Sequence, residues 1–367
     1  MNWYIVYAYA LVSAFVVALF LTTVVRRLAI RWQFYDYPGD RKMHDEPVPV
    51  MGGAAIFATF FLITGVNLLA LWILPVERLI GGEWLDAHVI DFLGPNVGWK
   101  LTGIFLGGVI IFVLGLLDDI VALGPMKKLV GQVAAALVLV YFGMQVNLFI
   151  PDPLLRGAIT VLWVLTIINA MNFLDNMDGL APGVSVIAAL SFFICVAPQG
   201  HTFIAVLLMV FAGSVAGFLY HNLYPARIFM GDTGSMFCGY VLATIPVVAT
   251  FYTPDTPSRV AVAAPLVALS VPLFDILSVV YIRWRDGQSI MQGDKRHFSH
   301  RLVELGMTPR QAVEFIFLVA AICGLGAALL PQVALAGTLI ILAQLAGIFL
   351  LIVLLMRARP GKGLTEP

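Results

Sequence analysis

The chain has 367 residues, 61% of them apolar and only 11% charged, with a net charge of zero and a mean hydropathy of +0.97. A soluble domain carries about 25% charged residues, so a water-facing surface is excluded, and so much apolar side chain excludes intrinsic disorder. The balanced charge offers no global field for nucleic acid, which leaves a polytopic membrane protein.

Apolar windows fall at 3–25, 52–75, 100–117, 129–146, 155–172, 181–197, 202–220, 234–252, 260–282, 311–330 and 334–356. At ~20 residues per span, they predict an all-α membrane helix bundle with about 11 transmembrane helices. One domain is expected over 1–367, with a disordered tail from about 357. The first window lacks a charged n-region and a cleavage site and is too long for a signal peptide, so it is expected to remain as the first span. Cys195, Cys238 and Cys323 lie inside apolar runs without metal spacing and read as small buried hydrophobes. No internal repeat is visible.

Lys and Arg set the orientation. With the N-terminus outside, seventeen of the 21 fall in loops after odd-numbered windows or in the tail. Only Arg78, Lys100, Arg156 and Arg259 fall on the other side. The N-terminus is therefore expected outside and the C-terminus in the cytoplasm. Asp118, Asp119, Asp175, Asp178 and Asp232 then gather at cytoplasmic junctions after the third, fifth and seventh windows.

The first cytoplasmic loop contains Arg41, Lys42 and His44 and runs through PVPVMGG into the second window. Basic residues before a Gly-Gly helix start suit phosphate contact, although positive-inside anchoring alone accounts for the cations. GLLDD closes the third window with Asp118 and Asp119. Lys127 and Lys128 follow, and Gln132 lies one helical turn beyond Lys128. Adjacent carboxylates repel unless a cation joins them, which suits a divalent-metal and phosphate site or merely a solvated helix end. NAMNFLDNMDGL repeats polar residues every third position, at Asn172, Asp175 and Asp178, and a helical turn would align them on one face. Asn222 offers both a donor and an acceptor to a base or sugar. In FMGDTGS, Asp232 is a hard oxygen ligand between glycines, and first-turn amides at Thr233 and Ser235 could meet a phosphate. The late loop GDKRHFSHR carries Arg296, His297 and His300 among further cations and suits an anionic substrate better than zinc. Asp275, inside the ninth window, is either functional or paired.

These motifs together resemble the polyprenyl-phosphate N-acetylhexosamine-1-phosphate transferase superfamily (glycosyltransferase family 4), closest to its undecaprenyl-phosphate GlcNAc-1-phosphate branch. The similarity runs from about Asp36 to Gln311, with the motifs in the family's order. It implies catalytic roles for Asp118, Asp119, Asp178, Lys128 and His297, and a Mg²⁺ ligand (Mn²⁺ as substitute) at Asp232. It also implies substrate contacts at Asn172, Asp175, Asn222, Lys42, His44, Arg296 and His300. The late motif reads His297-Phe298-Ser299-His300, where that branch usually has His-x-His-His.

The implied reaction is Mg²⁺-dependent transfer of a sugar-1-phosphate, with N-acetylglucosamine expected, from a UDP-N-acetylhexosamine to undecaprenyl phosphate. UMP is released and a lipid-linked envelope glycan begins. The implied place is a bacterial cytoplasmic (inner) membrane, with membrane lipid as a partner and a homodimer admitted. A phospho-MurNAc-pentapeptide translocase is the alternative within the superfamily. An ion-coupled transporter is the alternative outside it, but transporter sites sit near the midplane and often between repeats. A CDP-alcohol phosphotransferase would need a D-G-x-x-A-R type signature, which is absent.

Overall fold

The computed structural model describes residues 3–38, 46–73, 97–146, 148–249, 257–289 and 296–357. Helix α1 (Trp3–Arg31) leads to two paired two-residue strands, β1 (Tyr35–Asp36) and β2 (Val48–Pro49), and then to α2 (Gly52–Ile73). There follow α3 (Val97–Val121), α4 (Pro125–Tyr141), α5 (Pro153–Leu174), α6 (Leu180–Val196), α7 (Thr202–Asn222) and α8 (Gly231–Val248). The chain continues through α9 (Ala264–Ala268), α10 (Ser270–Arg285), α11 (Phe298–Glu304), α12 (Pro309–Leu329) and α13 (Leu335–Arg357).

Among the described residues, eight helices are long and apolar enough to cross a membrane, and a ninth span counts if α9 and α10, bent by 69°, form one broken crossing. The remaining two expected windows are also helical, as α4 and α8, but do not meet that criterion. Helix α4 has only 17 residues. Helix α8 opens on the polar run Gly-Asp-Thr-Gly-Ser. Both helices carry site residues in their first turns, which lowers their apolar content.

Residues Thr233 to Ile245 of α8 are buried without a break. A helix buried on every side belongs in a protein interior, and α8 packs against α2, α3, α5 and α6. Glycines permit the closest crossings. A Cβ on Gly53 would stand 2.1 Å from the backbone nitrogen of Gly234, and one on Gly115 would stand 2.5 Å from the Cα of Thr233. These two contacts fix α2 and α3 against the first turn of α8.

Candidate active site

Helix α3 extends past its apolar window, so Asp118 and Asp119 occupy its final turn. Pro125 opens α4 after the N-cap Gly124, which puts Lys128 in the first turn of the next helix. A cation there opposes the helix dipole, and two carboxylates offset it. The Lys128 ammonium bonds Asp118, and it lies 2.5 Å from Asp232 Oδ2. Asp118 also accepts the Leu123 N–H at 2.6 Å. The other Asp232 oxygen accepts from Asn172 Nδ2 at 2.5 Å, and the same amide reaches Ser235 Oγ at 2.9 Å. Side chains from α3, α4, α5 and α8 thus meet at one point. The Lys128 and Asp232 side chains stay 23% and 26% exposed, so a solute can reach them, whereas Asp118 lies deeper at 6%.

One turn further in, Asn169 Nδ2 donates to Gln132 Oε1 at 2.7 Å and ties α4 to α5 beneath Lys128 and Asn172. Asp119 faces the other way. Its carboxylate accepts the backbone N–H groups of Asp232 at 2.8 Å and Thr233 at 3.0 Å, and the Thr233 hydroxyl at 2.5 Å. It therefore caps α8 from another helix. The first-turn amides expected to meet a phosphate at Thr233 are spent on Asp119, and the Gly52 and Gly53 amides donate to Phe229 and Met230 carbonyls at 2.9 and 2.8 Å. Both glycine sites thus serve close packing of backbone.

The expected common face of Asn172, Asp175 and Asp178 does not form. Helix α5 ends at Leu174, Asp175 adopts φ −79°, ψ 58°, and Gly179 turns left-handed at φ +76°. The helix stops because a run of turn-forming Asp, Asn and Gly residues follows. Asp178 Oδ2 instead accepts the Ala226 N–H at 2.8 Å. Asp175 remains inside the acidic group. Loss of water first, and then the charges of Asp232, Asp119 and Asp178, push its carboxyl up to about 8.

Asn222 is buried with both ends in use: its Oδ1 accepts the Gly179 N–H at 3.0 Å and its Nδ2 donates to the Ile228 carbonyl at 2.8 Å. That clasp joins the loop bearing Asp178 to the loop that leads into α8, in place of the donor and acceptor for a base or sugar that the sequence suggested. Arg296 reaches Asp286 and Gln288, each at 2.6 Å, and closes the late loop on itself. His297 and His300 stand with ring centroids 6.1 Å apart. Lys42 and His44 lie outside the described residues. Sequence reasoning named Ser235 for its amide and missed its hydroxyl, which meets Asn172. It missed Asn176 because the Ser299 Oγ–Asn176 Oδ1 bond of 2.6 Å spans 123 positions and leaves no local pattern.

The donor set suits a hard divalent cation. Two carboxylates converge on one positively charged nitrogen, with an amide and a hydroxyl beside them. Among the described residues no group of three or more His, Cys, Asp or Glu could hold a metal ion by itself. Mg²⁺ usually takes one or two carboxylates and completes its shell with water and substrate phosphates.

The profile of Glycosyl transferase family 4 matches residues 101–250, the stretch holding α3 to α8. A Bacillus subtilis protein named probable undecaprenyl-phosphate N-acetylglucosaminyl 1-phosphate transferase is 32% identical over 334 residues, covering 88% of this chain and 85% of its own. The decaprenyl-phosphate N-acetylglucosaminephosphotransferase of Mycolicibacterium smegmatis is 33% identical over 348 residues, covering 86% and 80%. The undecaprenyl-phosphate alpha-N-acetylglucosaminyl 1-phosphate transferase of Salmonella typhi is 26% identical over 328 residues, covering 85% and 80%. With four helices delivering their polar ends to one point inside the matched stretch, and relatives aligned along most of its length, the chain belongs to glycosyl transferase family 4.

Proposed function

We propose that this protein transfers N-acetylglucosamine-1-phosphate from UDP-N-acetylglucosamine to undecaprenyl phosphate at the cytoplasmic face of a bacterial inner membrane. The observation that carries this reading is the meeting of Asp118, Lys128, Asn172 and Asp232, drawn from four helices, at a point solutes can reach. The names of the relatives support a polyprenyl-phosphate acceptor and an N-acetylglucosamine phosphate group. The Lys/Arg asymmetry supports a cytoplasmic site, where nucleotide sugars are made.

In this reading an oxygen of the lipid phosphate forms a bond to the sugar-side phosphorus. The bond from that phosphorus to the bridging oxygen breaks, and UMP leaves with that oxygen. Phosphoryl transfer of this kind depends mainly on positioning and charge neutralisation. Asp232 is the residue that would hold Mg²⁺, which when bound neutralises charge on the pyrophosphate. Lys128 offers its ammonium to the same oxygens. Asn172 holds the Asp232 carboxylate in orientation. Asp118, aligned by the Leu123 amide, takes the proton of the lipid phosphate or attacks the phosphorus itself; trapping of a phosphorylated Asp118 separates the two.

The test is purified protein with Mg²⁺, undecaprenyl phosphate and radiolabelled UDP-sugars, including UDP-MurNAc-pentapeptide, scored for lipid-extractable label and UMP. UDP-N-acetylglucosamine is expected to label the lipid, and Asp232→Asn to lower turnover by about 10³-fold or more. Label only from UDP-MurNAc-pentapeptide would reassign the enzyme to the translocase branch, and none from any donor would overturn the reading.

A further inference from the structure

Asp275 lies within α10, fully buried, and the chemistry above makes no use of it. A carboxylate in an apolar interior is costly unless both oxygens are bonded. Here they are. Oδ2 meets His297 Nδ1 at 2.8 Å, and Oδ1 accepts the Phe298 N–H at 2.6 Å. His297 is the N-cap of α11 and makes no side-chain cap bond of its own, so Asp275 fastens that helix from α10.

The imidazole also meets an aromatic neighbour, and the turn that follows it is braced against the end of α5. Its ring stands edge-on to Phe173 at 5.9 Å, and Phe173 follows Asn172, which grips Asp232. Two residues on, Ser299 donates to Asn176 Oδ1, and Asn176 Nδ2 donates to the Phe173 carbonyl at 2.8 Å. The serine that replaces the family's usual histidine is a strut between α11 and the end of α5. A carboxylate only accepts hydrogen bonds, so Nδ1 carries the proton and Nε2 is the ring atom left for a substrate.

We propose that Asp275 is the positioning residue of His297, fixing its tautomer and aim so that Nε2, an acceptor in that tautomer, takes a hydrogen bond from a hydroxyl or N–H group of the substrate. This rests on the phosphoryl-transfer reading above. Asp275 itself touches no reacting atom.

The test uses the full-length purified chain. Nitrogen-15 spectra of the labelled histidines, with the His297 signal identified by its loss in His297→Gln, should show the Nδ1–H tautomer in the wild type. Asp275→Asn keeps the size of the side chain but turns an N–H toward Nδ1. It should shift that signal and lower kcat by about 10²–10⁴-fold, with KM for the UDP-sugar changed less than about threefold. In a background of His297→Ala, adding Asp275→Asn should cost nothing further, because residues acting as one unit are not additive.

Multiplying losses in the double variant, or wild-type kcat in Asp275→Asn, would overturn the proposal. An Nε2–H tautomer in the wild type would do the same, even if Asp275→Asn fails to accumulate. A wild type inactive with every donor removes the functional reading and leaves the tautomer measurement standing.

Discussion

A carboxyl group shielded from water among other carboxylates keeps its proton to higher pH, and Asp175 is such a group, pushed up to about 8 from an ordinary 3.8. The native state then holds a proton that the unfolded chain releases. Stability contributed this way is complete below about pH 4 and is lost as the pH rises through about 8. Unfolding midpoints measured in EDTA should fall across that window in the wild type and fall less in Asp175→Asn; equal slopes would remove Asp175 as the source. Its neighbours Asp118 and Asp119 should separate by phenotype. Asp119→Asn turns an amide donor toward the α8 amides and should cost about 1–2 kcal/mol of stability, with activity lost in proportion. Asp118→Asn should abolish turnover while UDP-sugar binding and the thermal midpoint stay near wild type. GLLDD announces an acidic pair in the sequence, but the division of labour depends on α8, 113 positions away from Asp119, and cannot be read locally.

At the scale of helices, backbone-to-backbone contact sets the geometry. The atoms that a Cβ on Gly53 would strike are backbone atoms of Gly234 and Thr233, which cannot rotate aside. Gly53→Ala should therefore push α2 off α8, cost about 1–3 kcal/mol or more and reduce transfer. Gly65→Ala, in the same helix with nothing within 4 Å, should leave both unchanged; thermal unfolding and the lipid-label assay compare them. The apolar runs were legible because a bilayer demands long uninterrupted hydrophobic segments. Helix ends were less legible. Hydropathy drops at Asp118, Lys128 and Asp232, yet the helices continue through these residues, because their polar groups are bonded to one another. The reverse error occurred after Leu174, where three-residue spacing suggested more helix and the turn at Gly179 prevented it. The pairing of Asp275 with His297 left only one trace, a charge inside an apolar window.

For the whole molecule, the asymmetry of Lys and Arg makes a claim about sidedness that chemical labelling can check. The three native cysteines are buried, so an introduced thiol reports alone. Lys127 and Arg259 are both exposed. A membrane-impermeant maleimide added to intact cells should label Arg259→Cys and spare Lys127→Cys, and the opposite pattern would invert the orientation. Assembly is where the enclosure of α8 matters. Protein covers this helix on every side and its opening turn is polar, so lipid offers it little reason to stay. Its place in the bilayer is conferred by its neighbours, and a nascent chain cut shortly after Val248 should hold it only once α2, α3 and α5 have gathered. The segment that presents Asp232 thus settles after the helices that enclose it rather than by its own partition into lipid.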